Sequence, residues 1–278
     1  MLIVRLQGGL GNQMFQCAFA YMLSIKNKEH FLLDTSLFRE VSTTSRSFEL
    51  DKFESRLQTV DLSFLFNRLV YIKARGLQHC DELCFEFNSH HLTFRNTIVT
   101  GYFQSEKYFK DFRGEILKLF SFNPKLLSNA TLNVANKIKH SNSVSIHIRR
   151  GDYISDSATF NFHGCCTMDY YNKAANLISK SVPDCNFFVF SDDIEWAKKN
   201  IKLEGVMHFI SHNTGKDSYQ DMYLMSLCKH NILANSTFSW WAAWLNTYKN
   251  KIVITPKNWF RNEVINTKDL IPADWTKI

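Results

Sequence analysis

The chain has 278 residues, is 45% hydrophobic and 14% aromatic with 24 Phe, and carries a net charge of +7. With only 10 Gly and 4 Pro it is neither fibrous nor low in complexity, and a length near the upper limit of one hydrophobic core makes two domains the ordinary expectation. The basic residues are scattered, which fits a solvated surface, an anionic substrate or an anionic membrane face; nucleic acid is the weaker reading and is not expected as a partner.

Seven Cys form an odd set with no framework spacing: Cys165 and Cys166 are adjacent, and Cys80 and Cys84 have no Cys/His motif to complete. That pattern disfavours a disulfide scaffold and a zinc site. The N-terminus passes from Met1-Leu2-Ile3-Val4-Arg5-Leu6 into Gly8-Gly9 with no signal-peptide flank. No apolar stretch approaches the ~20 residues of a membrane span. The expectation is a cytoplasmic protein, with peripheral contact at the cytoplasmic face of the inner membrane compatible with its charge.

Leu2–Leu6 reads as a buried strand, and Phe15, Ala18, Phe19, Met22 and Leu23 recur at helical spacing after the glycine-rich turn. Phe31–Asp34 reads as a second strand and Thr97–Phe103 as another, followed by a helix that Ser105 can cap. Between them, residues 35–91 are irregular. From Ser143 onward strands are expected at Val144–Arg149, Phe187–Ser191, Met207–Ile210, Ile232–Ala234 and Ile252–Thr255, mostly separated by helices. Such alternation implies a parallel sheet covered on both faces. The polar, turn-rich stretch from Phe122 to Asn142 holds the domain boundary, giving domains over 1–130 and 131–278.

The Gly8-Gly9-Leu10-Gly11-Asn12-Gln13 turn invites a dinucleotide reading, with Gly9, Gly11 and Asp34 as its elements, and hence an NAD-dependent oxidoreductase. Met14 stands where that fingerprint needs a third glycine. Asn12 and Gln13 can equally offer amides to a sugar or pyrophosphate.

In Val144–Arg149, period-two alternation puts Ser145, His147 and Arg149 on one face of a covered strand. Burying His and Arg is costly unless they are paired or face a ligand, and ligands of parallel sheets sit beyond the carboxyl ends of the strands. Arg149, Arg150 and Asp152 lie at such an end, where an ion pair of Arg149 or Arg150 with Asp152 is the alternative to ligand binding. Phe187–Phe190 stops at Ser191-Asp192-Asp193, whose carboxylates can accept from a base or ribose, cap the helix from Ile194, or, least favoured, hold a divalent metal. Asn235-Ser236-Thr237-Phe238-Ser239 opens an aromatic helix; hydroxyls and free amides there suit a phosphate but also suit an ordinary cap. Trp240, Trp241 and Trp244 fit core packing better than a stacking platform, which would make the chain a non-catalytic glycan-binding module.

Taken together, Gly8–Gln16, Gly101-Tyr102-Phe103-Gln104-Ser105-Glu106-Lys107-Tyr108-Phe109, His147-Ile148-Arg149-Arg150-Gly151-Asp152-Tyr153, Ser191-Asp192-Asp193 and Asn235–Trp241 resemble, in order and over nearly the whole chain, the bacterial alpha-1,2-fucosyltransferases. The resemblance implies an α/β, GT-B-like fold of two Rossmann-type domains facing a central cleft, with the donor held by the C-terminal one. It implies inverting transfer of fucose from GDP-fucose to a galactose-terminated oligosaccharide or glycolipid, with no metal and no cofactor. It places the phosphate-binding arginine at Arg149, supported by Arg150, Asn12, Gln13 and the Ser236–Ser239 helix start, and gives guanine and ribose to His147 and Asp192 or Asp193. In-line attack by the galactose 2-hydroxyl needs a base, for which Asp152 is the first candidate and Asp156 the second. Gln104 and Glu106 are expected on the acceptor side. Residues 42–94 and 155–166 match no family segment and are where acceptor choice is expected to be set.

Overall fold

The computed structural model describes residues 1–39, 46–63, 76–262 and 265–278, with the side chains of Asp152 and Ser155 excluded. It divides into two units, one of Met1–Asn123 with Asn266–Pro272 and one of Pro124–Ile265 with Ala273–Ile278.

The first unit begins with β1 (Leu2–Arg5), the 18-residue helix α1 (Leu10–Asn27) and β2 (Phe31–Asp34). The apolar set expected for α1 is buried throughout, Phe15, Ala18, Phe19, Met22 and Leu23 being at most 2% exposed. Two short strands follow, β3 (Thr59–Val60) and β4 (Gln78–Asp81), then β5 (Thr97–Thr100) and helix α2 (Arg113–Leu119). All pairings are parallel, in the order β3-β2-β1-β5-β4. The chain therefore winds one way from β1 to β3, and β5 lies on the opposite flank of β1. The strand expected over Thr97–Phe103 stops at Thr100, because Glu82 Oε2 accepts from the Tyr102 and Phe103 amides at 2.6 and 2.9 Å and Phe103 takes a left-handed φ of 51°. Ser105 caps a 3-10 turn, Glu106–Tyr108, by accepting from the Lys107 amide at 3.3 Å.

The second unit runs α3 (Asn129–Lys139), β6 (Asn142–Ile148), α4 (Gly151–Ser155), α5 (Ser157–His163), α6 (Met168–Ser179), β7 (Cys185–Ser191), α7 (Ile194–Asn200) and β8 (Val206–Ile210). It continues with α8 (Tyr219–Leu227), β9 (His230–Ile232), α9 (Thr237–Leu245), β10 (Val253–Thr255) and β11 (Thr276–Lys277). The sheet is parallel in the order β11-β10-β9-β6-β7-β8. One face of β6 and β7, from Val144, Ile146, Ile148, Phe187 and Val189, packs on Tyr171, Ala174 and Ile178 of α6. Trp240, Trp241 and Trp244 are buried to 2% exposure or less, with Trp240 against Trp275 at 5.4 Å, so they are core residues as expected.

The units part at Asn123/Pro124 rather than at residue 130, and Asn266–Pro272, expected from the sequence in the second domain, belongs with the first. Its tether is the 5% exposed carboxylate of Asp269, which accepts from the Phe87 amide at 3.0 Å and pairs with Lys107. Among the described residues no helix is long and apolar enough to cross a membrane.

Candidate functional site

Where the winding direction of a parallel sheet reverses, the loops leaving two adjacent strands diverge and open a crevice at their carboxyl ends. In the second unit β6 to β8 run one way and β9 to β11 the other, so the switch lies between β6 and β9. Those strands lead directly into Arg149-Arg150-Gly151 and Asn235–Ser239. In the first unit the adjacent strands β1 and β5 lead into Gly8–Asn12 and Gly101–Gln104.

The polar stripe of β6 resolves into three fates. Ser145 is paired inside the protein, accepting from Asn231 Nδ2 at 2.8 Å. His147 is 6% exposed, its Nδ1 is buried with no hydrogen-bond partner among the described residues, and its ring lies 5.7 Å from that of Phe238 on α9. Burial, with the Arg149 charge second, pushes its imidazole down to about 3, so it is neutral at physiological pH. Arg149 pairs with Asp192 at 2.9 Å and lies 5.5 Å from the Tyr153 ring centroid, with its side chain 25% exposed.

Asp192 binds both arginines, accepting from the Arg150 amide at 2.8 Å as well as from Arg149. Asp193 caps α7 through the Trp196 amide at 3.2 Å and also accepts from Arg150 Nε at 3.3 Å. Arg150 stacks at 3.7 Å on Trp196, so it is held from two sides. Gly151 packs closely against this cluster: a Cβ there would stand 2.8 Å from Asp192 Oδ2, and the carboxylate would have to shift. The arginines thus take Asp192 and Asp193 as partners.

At the β9 end, Ser236 caps α9 by accepting from the Phe238 amide at 3.3 Å, Thr237 is half-buried, and Ser239 Oγ donates back to Ala234 O at 3.4 Å. No acidic residue stands in the first turn of α9. Asn235, 3% exposed, donates through Nδ2 to His163 O at 2.9 Å and Trp259 O at 3.2 Å, and its carbonyl accepts from Tyr153 Oη at 3.2 Å. A guanidinium, a helix start without an acid and a dry neutral imidazole together can bind an anion joined to a flat polar ring.

Asp152 stands on α4, and its side chain lies outside the described ones. Asp156 is the N-cap of α5, accepting from the Ala158 amide at 2.9 Å and Thr159 Oγ1 at 3.0 Å, and those bonds hold its carboxyl below the usual range. In the first unit Gln104 is 5% exposed and donates to Asn12 Oδ1 at 3.0 Å. Gln13 is fully buried and fully occupied: Nε2 donates to Gly8 O at 3.0 Å and Ser47 O at 2.8 Å, and Oε1 accepts from the Glu49 amide at 2.9 Å. Glu106 opens the 3-10 turn after Gln104 and is partly exposed.

The NAD-dependent reading does not survive this geometry. Asp34 is wholly buried, accepts from the Ser36 amide at 3.0 Å, Ser36 Oγ at 2.8 Å and the Leu62 amide at 3.1 Å, and pairs with Arg5 Nε at 3.4 Å, so it presents no exposed oxygen to a ribose. Met14 is 0% exposed where a dinucleotide turn needs glycine.

One residue escaped the sequence reading. Asp221, in the first turn of α8, is 9% exposed and among the described residues accepts an amide bond from Asn213 Nδ2 at 2.8 Å, and burial pushes its carboxyl up to about 7. A carboxylate with no cation against it among the described residues is suited to accept from a ligand. Among the described residues no group of three or more His, Cys, Asp or Glu is placed to hold a metal.

The profile of glycosyl transferase family 11 matches residues 1–278. The chain is 37% identical to the O-antigen biosynthesis glycosyltransferase WbnK of Escherichia coli, over 98% of this chain and 99% of that protein. It is 33% identical to an alpha-1,2-colitosyltransferase of Escherichia coli, over 100% and 99%. A mutant of Arabidopsis thaliana FUT1, solved in complex with GDP, superposes with a TM-score of 0.52 at 15% identity, over 98% of this chain and 74% of that one. The fold is accordingly of the GT-B-like, two-Rossmann type.

Proposed function

Because this chain belongs to glycosyl transferase family 11 and is a glycosyltransferase, we propose that it transfers L-fucose from GDP-fucose to the 2-hydroxyl of a terminal galactose, with inversion and without a metal ion, on an oligosaccharide or a surface-glycan precursor. The observation that carries the reading is the position of Arg149: it is fixed by Asp192 at the end of β6, where β9 delivers the start of α9. A donor diphosphate set between them meets a guanidinium and the amides of a helix start, the groups needed when charge develops on the leaving phosphate.

In the proposed reaction the acceptor 2-hydroxyl oxygen bonds to the fucose anomeric carbon as the bond to the β-phosphate oxygen breaks. The electron pair leaves with GDP, and the hydroxyl proton passes to a carboxylate base. Asp152, on α4 just past Arg149, is the candidate base; Asp156 has its oxygens engaged as a cap. His147, dry and neutral, and Asp192 or Asp193 would receive the nucleoside. The family motifs along the chain and the GDP held by the Arabidopsis neighbour support a guanosine diphosphate donor.

A second donor is favoured by one finding, the 33% identity to an alpha-1,2-colitosyltransferase. Colitose is fucose without its 3-hydroxyl, so a pocket for one nearly fits the other. The test is incubation of the purified protein, with and without EDTA, with GDP-fucose, GDP-colitose and other sugar nucleotides, using lactose as acceptor and fixing the product linkage by NMR. Transfer of fucose to the galactose 2-hydroxyl in EDTA is expected. Transfer from GDP-colitose alone moves the donor assignment to that sugar, and activity that needs manganese overturns the metal-free reaction.

A further inference from the structure

The first unit contains a relay of hydrogen bonds that ends on the partly exposed amide of Asn12. Glu82, just past β4, binds the Tyr102 and Phe103 amides at 2.6 and 2.9 Å. These bonds hold Phe103 at a φ of 51°, a left-handed conformation that a bulky side chain adopts only when its surroundings impose it. Stacking of the Phe103 ring on Phe19, with centroids 3.9 Å apart and planes 5° from parallel, locks it further. Gly101 takes the closest approach, since a Cβ there would meet Glu82 Cβ at 2.4 Å.

The bent segment delivers Gln104, whose Nε2 donates to Asn12 Oδ1 at 3.0 Å. An amide whose oxygen is engaged on one side must turn its NH2 to the other. Asn12 Nδ2 accordingly lies over Gly8, close enough that a Cβ on Gly8 would be 2.4 Å from it. The Asn12 amide therefore stands beyond the carboxyl ends of β1 and β5 as a hydrogen-bond donor.

We infer that Gln104 and Glu82 are positioning residues: Glu82 sets the bend that places Gln104, and Gln104 sets the amide of Asn12 so that Nδ2, rather than Oδ1, meets the oxygen-rich substrate. Gln104 thereby acts through Asn12 and does not touch the acceptor sugar. The assignment rests on the glycosyl-transfer reading for its substrate, and on the first unit alone for its geometry.

A double-mutant cycle tests it. Gln104→Glu is nearly isosteric but cannot donate to Asn12 Oδ1, so Asn12 turns Nδ2 inward to the new carboxylate and presents an oxygen to the substrate. Expected is a loss of about tenfold or more in kcat with acceptor KM nearly unchanged, and a further loss of less than about twofold when the same change is made on Asn12→Ala, because residues acting through one contact are not additive. Glu82→Ala should repeat that pattern and Glu82→Gln, which keeps the accepting oxygen, should restore activity; this pair decides the matter if Gln104→Glu does not fold. Losses that multiply in the double variant, or a rise in acceptor KM alone, would overturn the inference. The cycle is run with whichever nucleotide sugar the wild type uses, so an error in the donor is seen in the wild type and an error in the relay in the variants.

Discussion

Arg149 and Asp192 meet at 2.9 Å across the carboxyl ends of neighbouring strands, just beyond the register pair Ile148–Ser191. Because the same carboxylate also accepts from the Arg150 amide at 2.8 Å, Asp192 fixes both the cation and the turn that carries it.

Asp192→Asn keeps an accepting oxygen for the Arg150 amide but removes the charge that orients Arg149. Initial-rate kinetics should show about a tenfold loss in kcat/KM, equivalent to about 1.4 kcal/mol. Gly151→Ala should cost at least as much, since its Cβ would press on Asp192 Oδ2 at 2.8 Å. Wild-type rates in either variant would remove Asp192 from the account.

Asp156→Asn separates cap from base. Asparagine caps a helix as well as aspartate does, so thermal stability and transfer rate should both stay near wild type. A fall in kcat of about a hundredfold or more, the size associated with general-base catalysis, would make Asp156 the base and displace Asp152.

Ser236→Ala removes the side-chain cap of α9 and should lower stability by about 1 kcal/mol in denaturant titrations. The amides it exposes remain available to a diphosphate, so affinity for GDP should fall by less than about threefold, from RT ≈ 0.6 kcal/mol and a lost cap contact of about that size. A much larger loss would mean that the hydroxyl itself binds phosphate.

Two buried groups give opposite pH dependences. His147 is depressed to about 3 in the fold, so the unfolded chain takes up its proton first, near the usual 6.5. Its contribution is therefore intact above pH 6.5 and is lost as pH falls toward 3. Asp221 is raised to about 7, so its contribution is fully present below the usual 3.8 and is lost as pH rises through 7. Asp221→Asn should be more stable than wild type at about pH 8, by up to about 4 kcal/mol because each tenfold change in proton affinity is worth about 1.4 kcal/mol, and no more stable at about pH 4. Chemical denaturation at both values checks the sign.

The polar ends of otherwise apolar strands were legible in the sequence, because a buried strand tolerates His147, Arg149 or Asp192 only where something needs them. The winding of α1 and the burial of Trp240, Trp241 and Trp244 were likewise written in apolar spacing. Long-range partners were not. Gln13 looks like a ligand-binding amide until it is seen tied to Ser47 and Glu49, far along the chain. Asp221 passes for an acid favoured at a helix start, and its 9% exposure with no cation beside it among the described residues sets it apart. β4, Gln-His-Cys-Asp, carries no apolar alternation because, among the described residues, it lies at the edge of the sheet and pairs with β5 alone. Asn266–Pro272 has no local sign of joining the first unit, since that depends on Lys107 and Phe87 meeting Asp269.

The central claim is that Arg149, at the β6–β9 switch, holds the donor's diphosphate. Calorimetric titration of GDP and GMP into wild type and Arg149→Ala tests it without reference to any acceptor. Wild type should bind GDP about tenfold or more tighter than GMP, since a charge-assisted contact is worth about 1.5–3 kcal/mol, and Arg149→Ala should lose most of that difference with its circular dichroism unchanged. A folded Arg149→Ala protein that still prefers GDP by the wild-type margin would contradict the account.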